Sequence, residues 1–562
     1  MDPAQLFNRH LDRLERAVEA LHSRSAYTPF VESPSRKLHP EGAHAAGRAA
    51  FEARLNRPFE SLRLCDTRAT AGAEVSPYTG LPLGISYPRH EPEELYAAVK
   101  RAWDPWRRAA PRQRVGVCLE ILARWESQVF ENAYATMHTA GQAFMLAFAG
   151  SGASSLDRGL EALAAAWHAM DSVTTSASYE RHFGPGPPVR LEKRYRLMPV
   201  GVAVVLSCGS YPAWNAYPAI MANLATGNPV VLKPHPDTIL PMAIAVETAR
   251  AALSDAGFDP NLLTLAVDTW EEPIAKVLFA RPETAIVDFT GGQAFGAWIE
   301  NHCPRLQVYT ETAGCNAVVL ESADVLDDVL DAIAFGLVLF SAQMCTAPQN
   351  IWIPGDGVRD GSVGVSAAEV RTRLARAVDR LVEAPASAAG LCGALHSEKT
   401  QAELAQLSAQ FAGRIVRPST PYAHPEFPAA RVATPLVIEL DPRDRAAAQR
   451  ECFGPVAFVL TAPTRDAALA LATDDAARFG AIASYAYTVD ADWLPAVEDA
   501  FAMAGASVGI NLIRQRPMNF TAAFSDYHVT GLNPAGNACL TDAAFVSRRF
   551  RIVQSKRELA GQ

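Results

Sequence analysis

The sequence predicts an α/β fold built from two doubly wound domains, with a helical N-terminal extension and a β-arm. Three observations carry this. At 562 residues the chain is too long for one core. After residue 201, short apolar runs such as "PVVLKP" and "LLTLAV" alternate with helical patterns, and continuous apolar strands between helices mean a parallel sheet covered on both faces. A second such series starts at "NAVVLE" (316–321) and runs to about Val508.

Taken in order, residues 1–72 read as a helical extension. "MDPAQLFNRHLDRLERAVEAL" sets Leu6, Leu11, Leu14 and Val18 among acids and bases, an amphipathic pattern without the uninterrupted apolar core of a secretory leader. The Pro/Ser/His-rich connector "YTPFVESPSRKLHPEGAH" leads to a second helix, and "EVSPYTGLPLG" (74–84) is turn chemistry. From Glu91 to about Phe148 apolar residues recur at three and four, which predicts helices. Residues 179–199 read as a hairpin arm with a Gly/Pro tip. The first α/β domain is expected over 73–308, with strands at 229–234, 262–267 and 283–292 and a helix at 238–256. The second is expected over 309–508.

Composition narrows the function. A net charge of -9 argues against nucleic acid or an acidic membrane surface as the main partner. No apolar run is long enough to span a bilayer. The nine cysteines (65, 118, 208, 303, 315, 345, 392, 452, 539) are odd in number, scattered and without a C-x-x-C, so a reduced cytoplasmic compartment and no metal site are expected.

Five short stretches carry chemistry. In "LFSAQMCTAPQN", Cys345 stands among Leu339, Phe340, Ala342 and Met344, where a thiol can simply pack. "FTGGQAFG" (289–296) follows a strand and opens a helix; Gly291, Gly292 and Gly296 allow close backbone approach, and the helix N-terminus offers N–H groups to a pyrophosphate. Lys233 in "ATGNPVVLKP" sits at a strand end, where sheets present ligand-binding side chains. Glu311 in "YTETAG" precedes Cys345 by 34 residues, and "ECFGPV" (451–456) closes the series.

The order and spacing of these motifs resemble the aldehyde dehydrogenase superfamily, from about Glu74 to Lys556. Within it, the N-terminal extension and "SAQMCTAPQN" look most like the branch of phenylacetic acid degradation proteins. The resemblance implies that Cys345 is the nucleophile, with Gln343 two residues before it, and that Glu311 is the general base for the thiol or for water. A thiolate makes the aldehyde carbon tetrahedral, hydride leaves for a nicotinamide, and the remaining thioester is hydrolysed. By the same resemblance Lys233 bonds the adenosine ribose, Glu451 the nicotinamide ribose, Phe453 flanks the nicotinamide, and Thr290 and Gly291 touch the dinucleotide. Residues 509–562 would return to the cofactor domain and an oligomer interface, in a homodimer or homotetramer.

Two departures matter. Where the family carries an asparagine that donates to the oxyanion, ungapped counting from "ATGN" reaches Ser210 of "CGSYP"; Asn215 is the alternative, at the expense of a five-residue deletion. One oxyanion donor is worth about 3–4 kcal/mol of barrier. Pro236 stands where the family often has a ribose-binding glutamate, so a 2′-phosphate is not repelled and His235 is a candidate contact for it. NADP or NAD is therefore expected, with NADP slightly favoured. The expected reaction is oxidation of an aldehyde, CoA-linked if the phenylacetate likeness holds, to a carboxylic acid. The alternatives are a CoA-acylating dehydrogenase, against which Glu311 tells, and a catalytically silent assembly protein, against which Cys345 and Glu311 together tell.

Overall fold

The computed structural model describes residues 2–65, 67–513, 521–528 and 543–559. Cys539 and part of the expected C-terminal segment, 509–562, lie outside them. The first sheet has five parallel strands in the order Leu263–Leu265, Val230–Lys233, Val202–Leu206, Thr284–Thr290 and Gln307–Glu311. "VAVVL" and "VVLK" are buried at every residue, as strands covered on both faces must be. The order reverses between Val202–Leu206 and Thr284–Thr290, and a ligand crevice forms outside the carboxyl ends of strands at such a switch point.

One boundary differs from expectation. Gln307–Glu311 pairs in register with Ile286–Thr290, so the first sheet runs past 308 and ends on Glu311 itself. The polar Gln307, Thr310 and Glu311 hide this edge strand from a search for apolar runs. The second sheet has seven strands, Ile415–Arg417, Leu436–Leu440, Val456–Ala462, Asn350–Pro354, Ala317–Leu320, Ala483–Tyr487 and Ser507–Ile510, antiparallel only at its first edge.

The N-terminal extension is built into the body of the molecule. Leu6, Phe7, Leu14 and Ala17 share one core with helices Pro111–Ser127 and Ser155–Asp171. Helix Pro3–Arg9 approaches so closely that a Cβ on Gly116 would meet the Phe7 nitrogen at 2.6 Å. The arm strands Ser176–Arg181 and Val189–Pro199 form a three-stranded antiparallel sheet with Phe550–Glu558. Arg549, fully buried just before that last strand, donates to both Asp288 carboxylate oxygens at 2.6 and 2.8 Å and to Asn223 at 2.7 Å. It ties the C-terminal segment to the first sheet. Among the described residues no helix is long and apolar enough to cross a membrane.

Candidate active site

A cavity of about 790 Å³ opens at the switch point, where the carboxyl ends of the first sheet face the loop that precedes strand Asn350–Pro354. Cys345 lies on that loop and lines the cavity. The backbone leading to it is strained: Phe340, Ser341 and Ala342 take φ of 51°, 49° and 51°, and left-handed non-glycine residues each cost on the order of 1–3 kcal/mol. Side-chain amides offset that cost. Gln343 donates to the carbonyls of Phe340 and Ala394 and accepts from the His396 amide, while Asn316 donates to the Cys345 carbonyl at 2.7 Å and to Ala347 at 2.9 Å. Gln349 accepts from the Cys452 amide at 2.8 Å, which locks the Cys345 loop to the segment that carries Glu451.

Burial, followed by the negative charge of Glu311, Cys208 and Glu451, pushes the Cys345 thiol well above its ordinary value. Glu311, 3% exposed, closes the last strand of the first sheet. Between the two comes His528, 2% exposed, from the segment 521–528: its Nε2 is 2.7 Å from Glu311 Oε1 and 3.8 Å from Cys345 Sγ. The sequence carries no signal for His528; it is one of 13 histidines and sits in no motif.

At the other end of the cavity, Lys233 closes strand Val230–Lys233, and its Nζ lies 2.7 Å from Asp268 Oδ1. Asp268 follows the neighbouring strand and was equally unmarked; an acid just past a strand end is the signal that existed. His235 packs edge-on against Trp270, and burial, with His396, Lys233 and Lys399 adding, lowers its pKa to about 3. It therefore offers a hydrogen bond and no charge, which weakens the expected contact to a 2′-phosphate. Thr290 and Gly291 line the cavity, and Gly292 opens helix Gln293–His302 with no side-chain cap and nothing within 4 Å of a built Cβ. Gly296 has a different use: a Cβ there would meet Thr312 at 2.6 Å, so it serves helix–strand packing. Glu451 and Phe453 also line the cavity, and desolvation, with Glu403 adding, raises the Glu451 pKa to about 7. An uncapped helix N-terminus over open space, a lysine–aspartate pair and an enclosed glutamate fit a dinucleotide's pyrophosphate and two riboses.

Ser210 and Asn215 both line the cavity. Asn215, on helix Pro212–Thr226, donates its amide to Thr290 Oγ1 at 3.0 Å. The remaining wall is largely apolar, with Leu146, Trp214, Leu339 and Met344.

Residues 66–529 match the aldehyde dehydrogenase family profile. The structure superposes on that of an NAD-dependent aldehyde dehydrogenase from Burkholderia multivorans with a TM-score of 0.96 and 44% identity, over 99% of each chain. The chain is 27% identical to 1-pyrroline-5-carboxylate dehydrogenase 1 of Halalkalibacterium halodurans over 47% of its own length and 50% of the relative's. It is 28% identical to the NADP(+) succinate-semialdehyde dehydrogenase of Deinococcus radiodurans over 54% of its length and 63% of the relative's. The matches thus span about half to two thirds of these curated relatives.

Proposed function

The chain belongs to the aldehyde dehydrogenase family, and from that premise we propose that it oxidises an aldehyde to a carboxylic acid with NAD or NADP. The observation that carries this reading is the presence of Cys345, Glu311, Lys233 and Glu451 around one cavity. When bound, the dinucleotide supplies the hydride acceptor. Lys233 and Asp268 hold one ribose, Glu451 the other, and the Gly292 end of helix Gln293–His302 receives the pyrophosphate, the Gly291 amide being donated to the Glu311 carbonyl at 3.1 Å. Phe453 flanks the nicotinamide side.

Cys345 sulfur adds to the carbonyl carbon, and the oxyanion receives hydrogen bonds from the Ser210 hydroxyl and the Cys345 N–H. Asn215 is the alternative donor, with one of its two amide N–H groups given to Thr290. After hydride departs, the carbon is a thioester on sulfur. Glu311 takes a proton from water, the water oxygen attacks the thioester carbon, and the acid leaves as the thiol is restored. A carboxylate held this near the sulfur favours hydrolysis over transfer to CoA.

For the substrate we propose a CoA-linked semialdehyde from aromatic catabolism, as in the phenylacetic acid degradation protein PaaN, on the strength of the extension and of "SAQMCTAPQN". The apolar wall of Leu146, Trp214, Leu339 and Met344 suits a hydrocarbon chain next to the aldehyde. The test is a substrate profile of CoA-linked and free semialdehydes with each dinucleotide. Turnover of free aldehydes with none of the CoA-linked ones would reject the substrate; reduction of neither dinucleotide by any aldehyde would reject the reaction.

A further inference from the structure

The reaction above asks the Cys345 thiol to give up its proton in a buried cavity, next to the Glu311 carboxylate. Their reacting atoms and His528 Nε2 all lie within 4.8 Å of one another. Burial and neighbouring carboxylates both oppose ionisation of the thiol. The known motifs leave that cost unmet.

We propose that His528 is a further catalytic residue, whose Nε2–H is shared between the Glu311 carboxylate and the Cys345 sulfur and stabilises the negative charge on sulfur as it forms. This rests on the reading that Cys345 is the nucleophile. The Cys345 S–H bond breaks as the S–C bond forms, the proton passes to Glu311, which releases it to solvent before it takes one from the hydrolytic water, and the Nε2–H proton stays on nitrogen. At 2.7 Å from Oε1, a proton lies between Nε2 and the carboxylate, and the same N–H faces the sulfur at 3.8 Å.

The setting of His528 is built for the purpose. Phe524, four residues before it, takes φ of 65°, a strained value for an aromatic residue. Its amide donates to Glu161 Oε1 at 2.6 Å, and Glu161 is paired with fully buried Arg158 at 2.8 Å. Arg158 also donates to the Asp526 carbonyl and lies 5.3 Å over Trp214, whose ring meets His528 edge-on at 6.2 Å. From outside, the N-terminal extension clamps the same segment: Arg24 donates to the Phe524 carbonyl and covers the Tyr527 ring at 3.8 Å, and Tyr27 packs edge-on against Phe524 at 5.3 Å. The extension thereby has a task in the chemistry, to hold His528 on the sulfur.

The test is the pH dependence of Cys345 alkylation by iodoacetamide, with Cys345→Ala as the blank for other thiols. The ionisable groups that face the pair are Glu311 from the first sheet, Cys208 from the loop after Val202–Leu206, Glu451 from the loop before Val456–Ala462, and the buried phenols Tyr211 and Tyr485. His528→Leu should slow alkylation at pH 7 more than tenfold and move its midpoint upward while dinucleotide binding persists. His528→Gln, which keeps an N–H but never a charge, should recover part of the loss. If His528→Leu fails to fold, as loss of dinucleotide binding would reveal, Arg24→Ala perturbs the segment from the surface and should move the midpoint in the same direction, with kcat falling and the dinucleotide KM unchanged. An unmoved alkylation profile in the folded variants overturns the proposal. An inactive Cys345→Ala beside an unmoved His528→Leu profile rejects this inference alone, whereas an active Cys345→Ala rejects the dehydrogenase reading with it.

Discussion

Lys233 and Asp268 form an ion pair of 2.7 Å at the carboxyl edge of the first sheet, with Lys233 8% and Asp268 2% exposed. A carboxylate absent at Pro236 is thus supplied beside Lys233 from just past the adjacent strand. Lys233 already neutralises it, and Lys399, 4.7 Å over the Trp270 ring, adds a cation on the same side.

Cofactor choice follows from this balance. The unaltered protein is expected to use NADP at least as well as NAD. Asp268→Asn should raise the NADP:NAD ratio of kcat/KM, and Pro236→Glu should lower it, each by about tenfold, the equivalent of roughly 1.4 kcal/mol. A strong preference for NAD that Asp268→Asn leaves untouched would remove both positions from cofactor selection.

Cys345→Ala should abolish hydride transfer and leave dinucleotide binding intact, since Lys233, Glu451 and the Gly292 helix end remain in place without the sulfur. In Glu311→Gln the two possible tasks of the base separate. If Glu311 mainly activates water, a burst of reduced dinucleotide near one per site should precede a slow steady state. If it mainly takes the thiol proton, the burst itself should slow and recover toward alkaline pH, where the thiolate forms unaided. Stopped-flow absorbance of the reduced nicotinamide distinguishes these.

The sequence made the local parts of the site legible and hid the tertiary ones. Lys233 and the glycine turn sit at strand ends whose apolar flanks announce them, and Glu311, Cys345 and Glu451 stand out by the order and spacing of their motifs, although the polar strand that ends on Glu311 does not. His528 could not: it meets Glu311 from 217 residues away and follows a left-handed turn at Phe524 that no propensity favours. Asp268 follows a strand of three residues, too short for its end to be placed by periodicity. Asn316, Gln343 and Gln349 look like ordinary polar residues until the strained backbone they clamp is seen. The extension was legible as helices, but the turn residues Arg24 and Tyr27, which reach Phe524 and Tyr527, are not part of its apolar stripe.

Arg549 is a structural counterpart. It is fully buried and paired with Asp288, so Arg549→Met leaves a carboxylate without its partner inside the protein. The expected loss is about 3–5 kcal/mol in chemical denaturation. Because Arg549 also anchors Phe550–Glu558, the arm sheet should become protease-sensitive before the core does. Equal stability of Arg549→Met and the unaltered protein would contradict this account.

The arm sheet leaves Ile552 54% and Val553 52% exposed on its C-terminal strand. A short sheet open on both faces is marginal by itself, and exposed edges invite pairing with another chain. The arm is expected to be covered in a homodimer or homotetramer. Ile552→Glu with Val553→Lys should shift sedimentation toward a smaller species, and a monomeric unaltered protein would refute the expectation.

Glu451 supplies a pH dependence whose sign can be worked out. Desolvation first, and Glu403 second, raise its pKa from the ordinary 4.5 to about 7. A carboxyl with a raised pKa in the folded state adds stability that is complete below pH 4.5 and lost as pH rises through about 7. The protein without dinucleotide should therefore lose stability across that window, and Glu451→Gln should flatten the loss. Binding runs the opposite way. The ionised carboxylate accepts hydrogen bonds from ribose hydroxyls better than the protonated acid, so dinucleotide affinity should rise between pH 6 and pH 8. Calorimetric titration at both pH values, with the unaltered protein and Glu451→Gln, measures the two effects against each other. If Glu451 holds the ribose, only the unaltered protein tightens with pH; a pH dependence that survives in Glu451→Gln must be assigned to another group.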